Sequence, residues 1–97
     1  MQVRIFHSLL PSEAKERISK FLEEKYRENE KMISNYDVRW SGYLCHLIGS
    51  VKNISIQGKV KILEGAVEVE LNIPLVFYAF KSKIKKVITT ELSKILD

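Results

Sequence analysis

Several residue types on which recognised chemistry depends are scarce in this chain. Cys45 is the only cysteine, so no intramolecular disulfide can form and no second thiol stands at a zinc-ligand spacing. With only His7 and His46 besides, no metal site and no cofactor are expected. The four glycines, Gly42, Gly49, Gly58 and Gly65, never gather into a loop that could cradle phosphates, which removes support for nucleotide binding. No apolar run approaches the roughly 18 to 20 residues that span a bilayer, so no transmembrane segment is expected. The opening MQVRIFHSLL lacks a charged segment, an apolar stretch and a small-residue cleavage site in series, and a cytoplasmic location is expected. Internal repeats, low-complexity tracts and linkers are absent too.

What is there suits one domain, residues 1–97, since 97 residues with 45% hydrophobic content can build a single core. The net charge of +4 is unevenly placed. Residues 11 to 31 hold six acids and six bases, whereas residues 75 to 97 hold five lysines against Glu91 and Asp97. That excess falls short of a dense basic stripe.

Along the chain the hydrophobic period changes from two to 3.6 and back. Val3 and Ile5 alternate with Gln2 and Arg4, predicting a short strand. Pro11 suits the first turn of a helix, and Ala14, Ile18, Phe21, Leu22 and Tyr26 recur on one face. Glu13 with Arg17, Glu16 with Lys20 and Glu23 with Arg27 stand at i,i+4 spacing for pairing. Lys25 falls near the middle of the apolar arc, so the last turn of this helix is expected to protrude while the lysine stem snorkels.

From Tyr36 the alternation predicts two hairpins. Ser41-Gly42 as a two-residue loop sets Val38 opposite Cys45 and Asp37 opposite His46. A further turn is expected at Gly49-Ser50. At Glu64-Gly65 both faces agree on one register: Ile62 meets Val67, Val60 meets Val69, Lys61 meets Glu68 and Lys59 meets Glu70. Gly58 then falls opposite Leu71, leaving room for a bulge, a bend or the close approach of a helix.

After Pro74 the segment from Leu75 onward reads as one helix, with Phe77, Phe80, Ile84, Val87, Ile88, Leu92 and Ile95 on a broad apolar arc. Lys81 and Lys85 flank one edge of that arc. A membrane-surface helix has the same distribution. The alternating strands decide for burial, because leaving their apolar face bare forfeits about 25 cal/mol for each Å². The expected fold is α+β, β-α-β-β-β-β-α, an antiparallel sheet with two helices packed on one face. Leu75, Tyr78 and Leu96 lie off the arc as a candidate contact patch for a second copy or another apolar surface. Glu91, within the arc, implies that the end of this helix is not fully enclosed.

Catalytic readings are outweighed at each position. Cys45 and His46 are adjacent strand residues that point to opposite faces, so they do not share a proton readily. His46 beside Asp37 reads as a cross-strand ion pair before it reads as a general base. His7, at a strand-to-helix junction, suits a backbone hydrogen bond, with a pocket contact as the lesser reading. Trp40 and Tyr43 are expected to pair across their turn, or to stack on a ligand. For nucleic acid the sheet lacks aromatic stacking pairs, and Glu68 and Glu70 repel phosphate.

Taken in order, His7-Ser8-Leu9, the helix with Glu13-Ala14, the Trp40-Ser41-Gly42 turn, and GKVKILEGAVEVELNIP with Gly58, Gly65 and Ile73-Pro74 resemble the polyhydroxyalkanoic acid system protein family. The likeness runs from about His7 to Leu96, with a longer segment between Trp40 and Gly58 than is usual. It implies association with bacterial polyester storage, as a small accessory protein at the granule surface or beside polyester-system proteins. No catalytic residues are agreed for that family, so none transfers. The leading expectation is a non-enzymatic accessory protein that forms homo-oligomers. A small-ligand module for acyl or hydroxyacyl groups near Gly58, Trp40 and Tyr43 is the alternative, and nucleic-acid binding through the C-terminal lysines is the third. Expected ligand or partner contacts are His7, Trp40, Tyr43, Gly58, Leu75, Tyr78, Lys81 and Lys85.

Overall fold

The computed structural model describes residues 1–97. It runs β1 (Gln2–Phe6), α1 (Pro11–Asn29), β2 (Ile33–Ser41), β3 (Leu44–Val51), β4 (Ile54–Leu63), β5 (Ala66–Asn72), a 3₁₀ segment (Leu75–Phe80) and α2 (Lys81–Ile95). The order is the α+β succession that the hydrophobic periods predict. All five strands form one antiparallel sheet in the order β1-β5-β4-β3-β2.

The β4–β5 hairpin sits at the heart of the core with the expected register, Ile62 opposite Val67, Val60 opposite Val69 and Gly58 opposite Leu71. Gly65 takes φ +79°, which its missing side chain permits. β1 joins the far side of β5, pairing Val3 with Val69 and Ile5 with Val67 on the inner face, and Arg4 with Glu68 on the outer. The Arg4 guanidinium donates to Glu68 Oε2 at 2.8 Å.

Two turns differ from expectation. The first loop is Gly42-Tyr43, one residue later than Ser41-Gly42, so Trp40 faces Cys45, Val38 faces Leu47 and Arg39 faces His46. Gly42 has φ +59°, and a glycine with positive φ at the first central position matches a type II′ turn, which holds the strands at their natural twist. The second loop is Lys52-Asn53, not Gly49-Ser50. Both loop residues have positive φ, 52° and 65°, as a type I′ turn requires. Gly49 stays in β3, paired with Ile56, and the bulge at Asn35, itself at φ 53°, brings both Ile33 and Tyr36 beside it.

α1 and α2 cover one sheet face, and the buried core joins Val3, Ile5, Val67 and Val69 to Ala14 and Ile18 of α1 and to Leu92 and Leu96 at the end of α2. Each of the valine, isoleucine and leucine side chains, fully buried, contributes about 1.5 to 3 kcal/mol. Arg17 fastens this corner by donating to the carbonyls of Ile95 at 3.0 Å and Asp97 at 2.9 Å. It therefore does not pair with Glu13; of the three expected i,i+4 pairs only Glu23–Arg27 forms. Nor does the last turn of α1 protrude, since the Tyr26 ring stacks on Tyr36 of β2 at 4.1 Å.

The closing segment departs most from expectation. It is not one helix: six residues at three per turn wind about 120° further than six at 3.6 per turn, which takes Phe80 out of line with Ile84. Phe80 and Val87, both expected in the buried arc, are 55% and 52% exposed. Leu96, expected outside, is 2% exposed, because it leaves helical geometry at φ −96°, ψ 0° and the helical projection no longer applies. The C-terminal end of α2 is thus its enclosed end, contrary to the reading of Glu91. No helix is long and apolar enough to cross a membrane.

Candidate functional site

Because the helices close over the sheet at only one end, an apolar groove of about 290 Å³ remains between them. Its floor is inward-facing sheet: Leu47 of β3, Val60 of β4, Val69 and Leu71 of β5. Ile18, Phe21 and Leu22 form the α1 wall, and Val87, Ile88 and Leu92 form the α2 wall. Lys25 and Glu91 are the only lining residues that are not apolar. These are the two charges that interrupt the apolar faces of their helices, so what reads as a flaw in each pattern marks one shared place.

Each charge has a different status. The Lys25 ammonium lies 3.3 Å from Glu28 Oε2 and 5.7 Å from the centre of the Phe21 ring, an arrangement that keeps its stem on the apolar wall. Glu91 is half-buried and makes no hydrogen bond or ion pair. Gly58 shapes the floor. A Cβ there would stand 2.7 Å from Leu71 Cδ2 and 3.9 Å from Leu47 Cδ1, so its absence lets both leucines lie over the backbone. The register runs unbroken through Gly58, so no bulge forms there, and the space expected for a helix is taken by the neighbouring Leu71 side chain.

Beside the groove, the 3₁₀ segment and the start of α2 carry a second apolar feature. Leu75 is 85% exposed and Val76 63%, with Tyr78, Phe80 and Val87 each more than half exposed. Lys81, Lys83, Lys85 and Lys86 accompany them, and no acid occurs between Pro74 and Glu91. Lys81 Nζ rests 4.9 Å from the centre of the Tyr78 ring.

The residues singled out from sequence fall in three places. Leu75, Tyr78, Lys81 and Lys85 share the exposed strip. Gly58 lies beneath Leu71 at the groove floor. Trp40 and Tyr43 stand further back along α1, outside the groove, and do not stack on each other; Lys15 Nζ lies 5.0 Å and 5.7 Å from their rings and donates to the Gly42 carbonyl at 2.8 Å. This lysine fills the space that a ligand between those rings would need. His7 accepts a hydrogen bond from the Leu9 N–H at Nδ1, 3.0 Å, while its buried Nε2 has no partner. The groove residues Phe21, Leu22 and Leu47 read from sequence only as core, and nothing local reveals that their cover is incomplete.

Elsewhere the outer sheet face is solvated and of mixed charge. A wider depression there, about 720 Å³, is lined mainly by polar residues such as Arg39, His46, Lys59 and Glu70. Asp37 does not oppose His46: the displaced turn puts Ile48 opposite Asp37, whose carboxylate instead accepts from Arg39 at 2.7 Å. Cys45 is wholly buried, and burial pushes its thiol up to about 11, with the Lys15 ammonium acting weakly in the other direction.

No curated protein and no solved structure matches the chain. The family model described as Putative polyhydroxyalkanoic acid system protein matches residues 1–96. That match covers nearly the whole chain, and the chain belongs to the polyhydroxyalkanoic acid system protein family.

Proposed function

We propose that this protein is a cytoplasmic, non-enzymatic accessory of polyhydroxyalkanoate storage that attaches to the polyester surface through the exposed strip of residues 75–87. One observation carries the reading: five large apolar side chains, Leu75, Val76, Tyr78, Phe80 and Val87, are bare within thirteen residues of a chain whose family name refers to an apolar polymer. Scattered exposed apolar residues are ordinary, but four of these five fall within the six residues of the 3₁₀ segment, a density that supports a contact surface. Withdrawing such a side chain fully from water contributes about 1.5 to 3 kcal/mol, and those already half covered give roughly half of that. The lysines keep the strip soluble until it docks. Contact rather than catalysis is supported by Cys45, whose buried, protonated thiol is a poor nucleophile.

Sedimentation with purified polyester granules tests the reading. The protein is expected in the pellet, and a variant carrying Leu75→Ser, Val76→Ser and Phe80→Ser is expected in the supernatant with unchanged circular dichroism. Recovery of the unmodified protein in the supernatant would overturn it. Analytical ultracentrifugation without granules asks whether a second copy covers the strip; association that disappears in the same variant would assign the strip to a homo-oligomer instead.

A further inference from the structure

We propose that the groove between α1 and α2 binds one free hydroxyalkanoate, an aliphatic hydroxy acid. The inference deepens the reading above and rests on it for the class of ligand, but it concerns the groove, which shares Val87 with the strip. At about 290 Å³ the groove lies at the lower edge of the roughly 300 to 1,000 Å³ range of small-ligand sites, so it suits a short aliphatic chain better than a folded segment of protein.

The polar groups set the rest of the ligand. An ammonium has three N–H donors, and Lys25 commits one to Glu28, leaving donors for a ligand carboxylate. Glu91 can only accept, and it has no donor. Its oxygens are open to water and engaged by no protein donor, so a ligand hydroxyl can donate to them without displacing a protein partner. Lys25 and Glu91 form no ion pair with each other, so each is free for a different group of one molecule. An apolar body, an anionic end and one hydroxyl define a hydroxy acid. A simple fatty acid leaves Glu91 unpaired, and an alcohol leaves the spare donors of Lys25 to water. Gly58 supports the site from below, because any side chain there would push Leu71 up into the space that the chain would fill.

The test is a titration of the ¹⁵N-labelled protein, followed by amide shifts, with 3-hydroxyoctanoate, octanoate and the methyl ester of 3-hydroxyoctanoate. Saturable shifts confined to residues near Leu22, Leu71 and Val87 are expected, with the hydroxy acid binding about fivefold tighter than either analogue, as one partly exposed polar contact provides. Lys25→Met should remove the advantage of acid over ester, and Glu91→Ala the advantage of hydroxy acid over octanoate. Retained spectral dispersion shows that both variants remain folded. In a short hydroxyalkanoate oligomer the hydroxyl next to the free carboxyl is tied up as an ester, so the oligomer is expected to bind no tighter than octanoate, and binding as tight as that of the monomer would overturn the role given to Glu91. Absence of saturable shifts, shifts lying elsewhere, or variants that keep both preferences would overturn the proposal. Sedimentation separates the two readings. Ligand binding by a protein that stays in the supernatant leaves this site standing and removes the surface role, whereas a pelleted protein with no ligand shifts does the reverse.

Discussion

Cys45 sits at 0% exposure beneath α1, where the neutral thiol is favoured over the thiolate. Its pKa rises from an ordinary 9.0 to about 11, so the folded state holds this proton more tightly than the unfolded chain does. The resulting stabilisation is complete below about pH 9 and is lost as pH rises through about 11. Tyr36, also raised by burial and by the neighbouring Cys45 and Tyr26, acts in the same direction. Urea midpoints should therefore fall between pH 8 and pH 10.5, and fall less in Cys45→Ala; identical slopes in both proteins would contradict the assignment. Gly58 offers a second residue-scale expectation. Gly58→Ala forces Leu71 aside and is expected to cost about 1 kcal/mol, the low end for overpacking, because the obstructing atom is the tip of a flexible side chain. Adding Leu71→Ala should remove that coupling in a double-mutant cycle.

Among the elements, α2 is firmly held at one end only. Leu92→Ala, at a site 5% exposed, is expected to destabilise by about 2 to 4 kcal/mol in urea unfolding. Val87→Ala, one and a half turns earlier and 52% exposed, should change stability by less than about 0.5 kcal/mol. Equal losses would mean that the groove closes in solution. In the β3–β4 hairpin, Lys52 holds φ 52° without the freedom of glycine. Lys52→Gly should raise the unfolding midpoint, gaining about 1 kcal/mol from relief of left-handed backbone strain. A lower midpoint would show that the turn is not limiting. Gly49-Ser50 carries stronger local turn chemistry than Lys52-Asn53, and the ladder that pairs Val51 with Ile54 outweighs it.

Across the whole molecule, Arg17 ties α1 to the chain end 78 and 80 residues away through two carbonyls. Arg17→Ala is expected to cost about 1 kcal/mol and to speed amide exchange in the last turn of α2 while leaving β4 and β5 protected. Uniform loss of protection would instead mean that the corner controls global unfolding. The open end of the two-helix cover is a property of this scale. Tyr26 on Tyr36 draws the end of α1 toward β2, and Leu92 with Leu96 draws the end of α2 toward β1 and the core, so the helices converge at the Arg17 corner and leave the groove beyond it.

The sequence by itself determined the order of elements, the β4–β5 register and the α+β class, because period-two alternation and cross-strand charge pairing are local and mutually consistent. It also exposed Lys25 and Glu91 as residues out of place. Only the tertiary structure decided that these two share one groove, that Leu96 lies inside while Phe80 and Val87 lie outside, and that Lys15 occupies the space beside Trp40 and Tyr43. Those outcomes depend on where one helix ends relative to another and on a 3₁₀ segment that rotates the apolar stripe, and burial is a relation between distant segments that no single stretch of chain contains.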